Sequence, residues 1–408
     1  MQKKMSTSSF TQTRQYSLQW IALLGLLTAL GPLSIDMYLP ALPSMAKDFQ
    51  TTTASISSSV PAYFLGLAIG QLIYGALSDR IGRKKPLYIG LIIYIAASFL
   101  CAIAQTEWSL IVFRVLQALG GCVGVVIARA AIRDCFDVNT SAQALAHMAM
   151  ILGIAPIIAP MIGTVIISFF SWHSIFILLA VVGSLALLCV HLLFQETLPV
   201  ERRLHLTSKQ LMIMYGSVLQ DFSFRTPMLA MSLFSGMMFC YITAASALFI
   251  EHYHFSQQQF ALAFGMNAFG IMLFSFLNSK IVRKVGPLPL LQFGGTLQFV
   301  GAIIVAGAAF YFPENIQWVL IGLFIVVASI GLTGPNATAL ALSRQKQRAG
   351  VASALLGSIQ FAIGLLAGVI LYHLNGGILQ NIAITMLIYG ALGLICVYIL
   401  RIRTKKAA

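Results

Sequence analysis

Apolar residues run through this chain in long uninterrupted stretches instead of at the alternating or three-to-four spacing of a water-exposed fold. Each crossing of a roughly 30 Å hydrocarbon layer takes about 20 mostly apolar residues in a helix, because a single segment satisfies its own backbone hydrogen bonds there only as a helix. The pattern predicts twelve spans, at 17–39, 56–78, 86–105, 109–130, 142–168, 173–194, 226–250, 258–279, 287–311, 315–338, 351–373 and 379–401. One longer polar stretch, 195–225 (QETLPVERRLHLTSKQ onward), divides six spans from six. It is short for a folded domain and reads as a cytoplasmic linker with one surface helix. The expected organisation is an all-α integral membrane protein: an N-terminal segment (1–16), a six-helix bundle (17–194), the linker (195–225), a second six-helix bundle (226–401) and a tail (402–408).

Composition agrees. The 408 residues are 59% hydrophobic and 9% charged, whereas soluble chains carry charge on about a quarter of their residues. A net charge of +14 would suggest a nucleic-acid partner in a soluble protein. Here its placement gives another meaning. Of the 25 Lys and Arg, all but Lys47 and Arg114 fall on the side of the two termini, in clusters such as IGRKK (81–85), SRQKQR (343–348) and RIRTKK (401–406). That bias predicts cytoplasmic termini, basic clusters acting as topology anchors, and no nucleic-acid partner. The first apolar run is long enough to remain as a span and no small-residue cleavage pattern follows it, so no cleavable signal is expected. The six cysteines are scattered, without metal-ligand spacing or a disulfide framework. They read as packing residues, and no metal or cofactor is expected.

The halves echo each other. LSDRIGRKKPL from Leu77 returns as LNSKIVRKVGPL from Leu277, with Ser279 where Asp79 stands. Two parallel halves enclosing a central site is the plan of many secondary transporters. The segment GALSDRIGRKKP (75–86) resembles the signature loop of the major facilitator superfamily, and RVLQALGG (114–121) is similar to its fourth-helix motif. LSIDMYLPALP (33–43), APIIAPMIG (155–163) and ETLPVERR (196–203) narrow the resemblance to the Bcr/CflA family of drug:proton antiporters. The match covers the chain nearly end to end. Ala118 departs from the usual glycine of the fourth-helix motif, and APIIAPMIGT replaces the Gly-Pro followed by paired glycines of many antiporters. The resemblance implies a proton-coupled exporter of small amphipathic drugs or antibiotics, bicyclomycin- or chloramphenicol-like, working as a monomer by alternating access in the bacterial inner membrane.

Asp36 and Arg114 read as the only charges inside spans, where each costs about 2.5–3.5 kcal/mol on insertion scales. From the predicted span limits they share a depth, close enough for a direct or water-bridged pair. Gly25, Ala29, Pro32 and Asp36 form one stripe, and Arg114, Gln117, Gly121, Gly124 and Ala128 another. The functional reading is a proton switch at Asp36 tuned by Arg114, with drug and proton competing for one site; the plain alternatives are a static ion pair or an interfacial Asp. Asp79 and Arg83 suit a gate, Asp79 toward the N-terminus of span eleven near Gly350 and Arg83 toward Asp134. Tyr38, Asn267, Gln360 and Phe361 join Asp36 and Arg114 as candidate substrate contacts. Gln117 and Asn336 also point to a cavity, because lipid would leave their amides unpaired. The Phe234, Met237, Met238, Phe239, Tyr241 stripe of span seven fits either a pocket or a core. His147, His191 and His373 are isolated and read as packing or interfacial residues. The Gly66/Gly70, Gly120/Gly124 and Gly364/Gly368 pairs and Pro156 with Pro160 suit tight packing or motion equally. The rival function is proton-coupled transport of one metabolite, an amino acid or sugar, which would more often need several polar groups within the spans. No clustered acid–base or metal constellation supports an enzyme.

Overall fold

The computed structural model describes residues 18–136, 138–203, 207–345 and 348–407. The expected N-terminal segment, Lys346 of the SRQKQR cluster and the side chain of His147 lie outside the described residues. The first half comprises α1 (Leu18–Asp36), α2 (Leu42–Asp48), α3 (Thr53–Ser57), α4 (Ser59–Ile81), α5 (Lys84–Ala102), α6 (Glu107–Cys135), α7 (Val138–Phe169) and α8 (His173–Leu193). The linker carries α9 (Ser208–Gln220), the expected surface helix. The second half comprises α10 (Phe222–Ser246), α11 (Gln257–Val285), α12 (Pro287–Tyr311), α13 (Ile316–Ala328), α14 (Ile330–Leu342), α15 (Ala349–His373) and α16 (Ile378–Ala407). Among the described residues eleven helical spans are long and apolar enough to cross a membrane; α7, with Gly153–Phe169 as its described apolar stretch, supplies the twelfth crossing.

Local chemistry sets the ends. Side chains of Thr106, Thr207 and Ser256 accept from backbone N–H groups three residues on, in reciprocal capping boxes that start α6, α9 and α11. Several span limits run past the sequence reading, and two of them bear on the candidate charges. A 3-10 turn over Leu39–Ala41 and then α2 carry the first span to Asp48. Pro40 and Pro43 do not end it, because each sits in the first turn of a new helical segment, where its missing N–H is not needed. Asp36 therefore lies nearer mid-membrane than the shorter span implies. The fourth span runs on to Cys135, its last turns stabilised by basic side chains at the negative end of the helix dipole. Arg129 thus sits within a spanning helix, so Asp36 and Arg114 are not the only intramembrane charges.

Small residues act at helix crossings. A β-carbon on Gly66 would strike the Val115 carbonyl and Ala118, one on Gly120 the backbone of Tyr94, and one on Gly124 the Leu27 carbonyl. These contacts join α4, α5 and α1 to α6. The halves meet along α4 and α15, where Pro61 faces Gly368, Gln71 faces Gly357 and Gly75 faces Ala354. They meet again along α7 and α11, where the Thr164 hydroxyl donates to the Gln257 carbonyl at 3.3 Å. On the side of the membrane away from the termini, the segment after α1 touches α10 and α11, so the two halves are closed together there. On the termini side α9 crosses the seam: the Tyr215 hydroxyl donates to the Leu72 carbonyl of α4 at 3.2 Å, and Ser217 accepts from Arg348, just before α15, at 2.8 Å.

The APIIAPMIG segment has a packing role at its end. A side chain on Gly163 would run into the main-chain carbonyl of Met37, whereas one on Gly153 meets nothing within 4 Å. Gly163→Val is expected to cost about 1–3 kcal/mol or more of stability, read as a lower thermal unfolding midpoint in detergent, while Gly153→Ala leaves that midpoint unchanged.

Candidate functional site

Asp36 ends α1 and is buried, with Oδ1 making no hydrogen bond. The Leu39–Ala41 turn that follows it packs against α10 and α11 of the other half, which carry Tyr241 and Asn267. The Tyr241 hydroxyl accepts from Asn267 Nδ2 of α11 at 3.0 Å, and its ring stacks on Phe264 at 5.6 Å between centroids. Asp36 therefore lies just before the segment that meets the two helices carrying the bonded Tyr241 and Asn267. Sequence reasoning had placed Tyr241 only in an aromatic stripe.

Arg114 is fully buried but is not paired with Asp36; among the described residues the two form no ion pair. The direct pair expected from shared depth is replaced by an aromatic cage. The guanidinium carbon lies 4.3 Å from the centre of the Tyr38 ring, 4.2 Å from that of Tyr63 and 5.8 Å from that of Phe176. Ring faces carry negative charge density and attract a desolvated cation. Arg114 Nη1 donates to Gln117 Oε1 at 2.6 Å, Gln117 Nε2 to Ser98 Oγ at 2.8 Å, and Ser98 Oγ to the Tyr94 carbonyl at 2.7 Å. Its Nε and Nη2 have no hydrogen-bond partner. The turn after α1 sends Tyr38 into the first bundle, where its hydroxyl meets Ser59 Oγ at 3.0 Å.

A second cluster crosses the seam. Phe64 of α4, Phe239 of α10 and Phe361 of α15 pack with centroids 4.5, 5.4 and 6.0 Å apart, and Gln360 Nε2 donates to Ser235 Oγ at 3.0 Å. Phe361 therefore sits at a half-to-half contact, whereas the Gln360 bond to Ser235 lies within the second half. Phe64 gives no sequence signal, being one aromatic in an apolar run. Asn336 instead bonds Asn278 at 2.6 Å and the Leu332 carbonyl at 2.8 Å, a link inside the second half. His191 pairs with Tyr88 at 2.9 Å and His373 with the Val369 carbonyl at 2.9 Å.

On the termini side the structure joins Asp79, Arg83 and Asp134. Arg83 Nη1 meets Asp79 at 2.6 Å and Ser78 Oγ at 2.8 Å, while its Nε meets Asp134 at 2.8 Å. A methyl group on Gly350, in the first turn of α15, would lie 3.7 Å from Asp79 Oδ2, so that carboxyl faces the positive end of the helix. In the second copy Ser279 bonds only its own helix, through the Phe276 carbonyl at 2.7 Å. Arg83→Gln leaves two partly buried carboxylates without their cation; losing charge-assisted bonds of about 1.5–3 kcal/mol each is expected to lower the melting midpoint and slow transport severalfold, measured side by side.

Glu196 of the ETLPVERR segment latches this network. It accepts from the backbone N–H groups of Arg83 at 2.8 Å, Lys84 at 3.2 Å and Leu198 at 3.0 Å. Gly82, at φ +92°, leaves the space Glu196 occupies. Burial disfavours the Glu196 charge, but these N–H groups and the Arg203 charge outweigh it and hold the carboxyl below its usual 4.5. A depressed value adds stability above the ordinary pKa and loses it as pH falls through the folded value. The latch is therefore expected to stay charged from pH 5 to 8, and Glu196→Gln should leave any pH dependence of transport in that range unshifted.

Comparison with known proteins follows this geometry. The model of the Major Facilitator Superfamily matches residues 24–369. The chain is 34% identical to the MFS-type transporter YdgK of Bacillus subtilis, over 84% of this chain and 85% of that one. It is 29% identical to a bicyclomycin resistance protein homolog of Haemophilus influenzae, over 95% of this chain and 97% of that one. Among solved structures, a POT family transporter in complex with 5-aminolevulinic acid superposes with a TM-score of 0.76 at 13% identity, covering 95% of this chain and 96% of that one. That likeness concerns the fold.

Proposed function

The chain belongs to the Major Facilitator Superfamily, and on that basis we propose that it exports small amphipathic drugs, bicyclomycin- or chloramphenicol-like, in exchange for protons by alternating access. The similarity to a bicyclomycin resistance protein supports the substrate class. The termini side is the cytoplasmic face of a bacterial inner membrane, in keeping with its excess of Lys and Arg. The functional unit is a monomer of two bundles, 17–194 and 226–401, joined by the linker.

One observation carries the reading: a buried carboxyl with an unpartnered oxygen at the end of α1, just before the segment that packs against α10 and α11 of the other half. In a site sealed from water the protonated form is favoured, and opening to water or contact with a polar drug releases the proton. Drug and proton then exclude each other at Asp36 without a long-range relay. Asn267 orients Tyr241 at this site. Arg114, held by Tyr38 and Gln117, sets the local positive field. Gln360 and Phe361 offer an amide and an aromatic face to an amphipathic ligand. Asp79, Arg83 and Asp134 form the gate that parts when the cytoplasmic side opens.

The test is drug-driven proton movement in proteoliposomes loaded with a pH dye. A fixed ratio of protons moved to drug moved, across a small drug panel, is the expected result. Coupled movement of a single amino acid or sugar with no response to any drug would replace this reading with the metabolite carrier, and proton flux without stoichiometry would mark a channel.

A further inference from the structure

Arg129 and Arg133 stand one turn apart on α6, at i and i+4, where like charges repel. Among the described residues neither forms an ion pair or a hydrogen bond, whereas neighbouring Arg83 is held by Asp79 and Asp134. Both line a cavity of about 40 Å³ between α4, α6 and α15, shared with Gln71, Ser78, Gly350 and Ser353. Both arginines are exposed residues that line this hollow. That is room for a few waters or one small oxyanion. Among the described residues the charges do not balance: the guanidinium groups of Arg83, Arg129 and Arg133 line the hollow with one carboxylate, Asp79, and a second, Asp134, is bonded to Arg83. The N-terminus of α15 at Ala349 and Gly350 adds its positive dipole end on the same side. Topology anchors would turn outward to lipid headgroups, but these two arginines point into the gap between the halves.

We propose that this cavity is a binding site for one oxyanion, a carboxylate or phosphate group, held by Arg129 and Arg133 of the first half and the N-terminus of α15 in the second. One monovalent anion cancels the surplus charge. It also ties α6 to α15 beside the Asp79–Arg83–Asp134 network, so its occupancy favours the arrangement in which the termini side is drawn together. The chemistry fits a free anion or the phosphate of a lipid headgroup.

The test uses full-length protein in nanodiscs of phosphatidylcholine alone or with phosphatidylglycerol, with thermal unfolding followed against inorganic phosphate and acetate. In phosphatidylcholine discs phosphate should raise the midpoint in a saturable manner. Arg129→Gln with Arg133→Gln should weaken that apparent affinity about tenfold or more, the loss of at least one charge-assisted contact. Arg283→Gln with Lys284→Gln, a charge-matched change at exposed positions, and Asp36→Asn should leave it unaltered, so failure of the proton reading and failure of this site are separately visible. Stabilisation only in phosphatidylglycerol discs, abolished by the same double variant, identifies a lipid headgroup as the source. No saturable effect of phosphate, acetate or phosphatidylglycerol, or an equal effect in the double variant, overturns the proposal. Arg129→Lys with Arg133→Lys guards against misfolding: it keeps the charge and should retain measurable binding.

Discussion

Asp36→Asn is expected to abolish proton-coupled transport while leaving the protein folded. The asparagine side chain has nearly the same shape but stays neutral in every state, so nothing there can bind and release a proton. Removing a buried ionisable group also removes its desolvation cost, about 2.5–3.5 kcal/mol for a charge at a helix centre, so the melting midpoint should stay level or rise. The measurement is drug-induced proton release from purified protein, with pH-driven drug accumulation in vesicles. Both should fall to the background of protein-free controls, and Asp36→Glu should restore part of the signal. Retained drug transport coupled to pH in Asp36→Asn would remove Asp36 as the proton carrier. Tyr241→Phe adds a finer readout: it deletes the hydroxyl that Asn267 donates to, so the apparent pH midpoint of transport should move without loss of maximal rate.

Arg114→Lys should be nearly as damaging despite conserving charge. The guanidinium carbon lies over the rings of Tyr38 and Tyr63, 4.3 and 4.2 Å from their centres, and each desolvated cation–π contact is worth up to about 2 kcal/mol. An ammonium group is a compact, strongly hydrated point charge and cannot reproduce the contact of a planar guanidinium with both rings. It also leaves the buried Gln117 carbonyl short of its 2.6 Å partner, costing about 1–3 kcal/mol. A fall of several degrees in melting midpoint is expected, with transport reduced about tenfold or more at equal protein level. The cage itself is separable: Tyr63→Phe keeps the ring face and should behave nearly as wild type, whereas Tyr63→Leu should approach the Arg114→Lys phenotype. Equal behaviour of Tyr63→Phe and Tyr63→Leu would count against the cage.

These two residues also mark where the sequence could be read and where it could not. Span number follows from run length, because the hydrocarbon layer sets a minimum that few other structures satisfy. The Asp79, Arg83, Asp134 network is legible because i,i+4 spacing and a familiar loop place those groups at one end of adjacent helices. The facing of Asp36 is different. Depth can be counted along a chain, but the rotation of α1 about its axis is set by Gly124 meeting Leu27 and Gly163 meeting Met37, contacts with residues far away in sequence. That rotation gives Arg114 to Tyr38 and leaves Asp36 without it. Phe64 is hidden for a similar reason, since an aromatic in an apolar span becomes informative only when its neighbours are known. Arg129 falls at the very end of the 109–130 run, where a basic residue resembles an anchor until the helix is seen to continue past it to Cys135.

The linker helix has a practical consequence. Its Tyr215 holds a carbonyl of α4 while its Ser217 holds Arg348 beside α15, so parting of the halves on that face must strain or break one grip. A binder seated across α9, such as an antibody fragment selected on the closed form, would act as a splint. It would arrest turnover without touching the drug path, and a fluorophore attached to α9 would report each cycle as the splinted face opens and shuts.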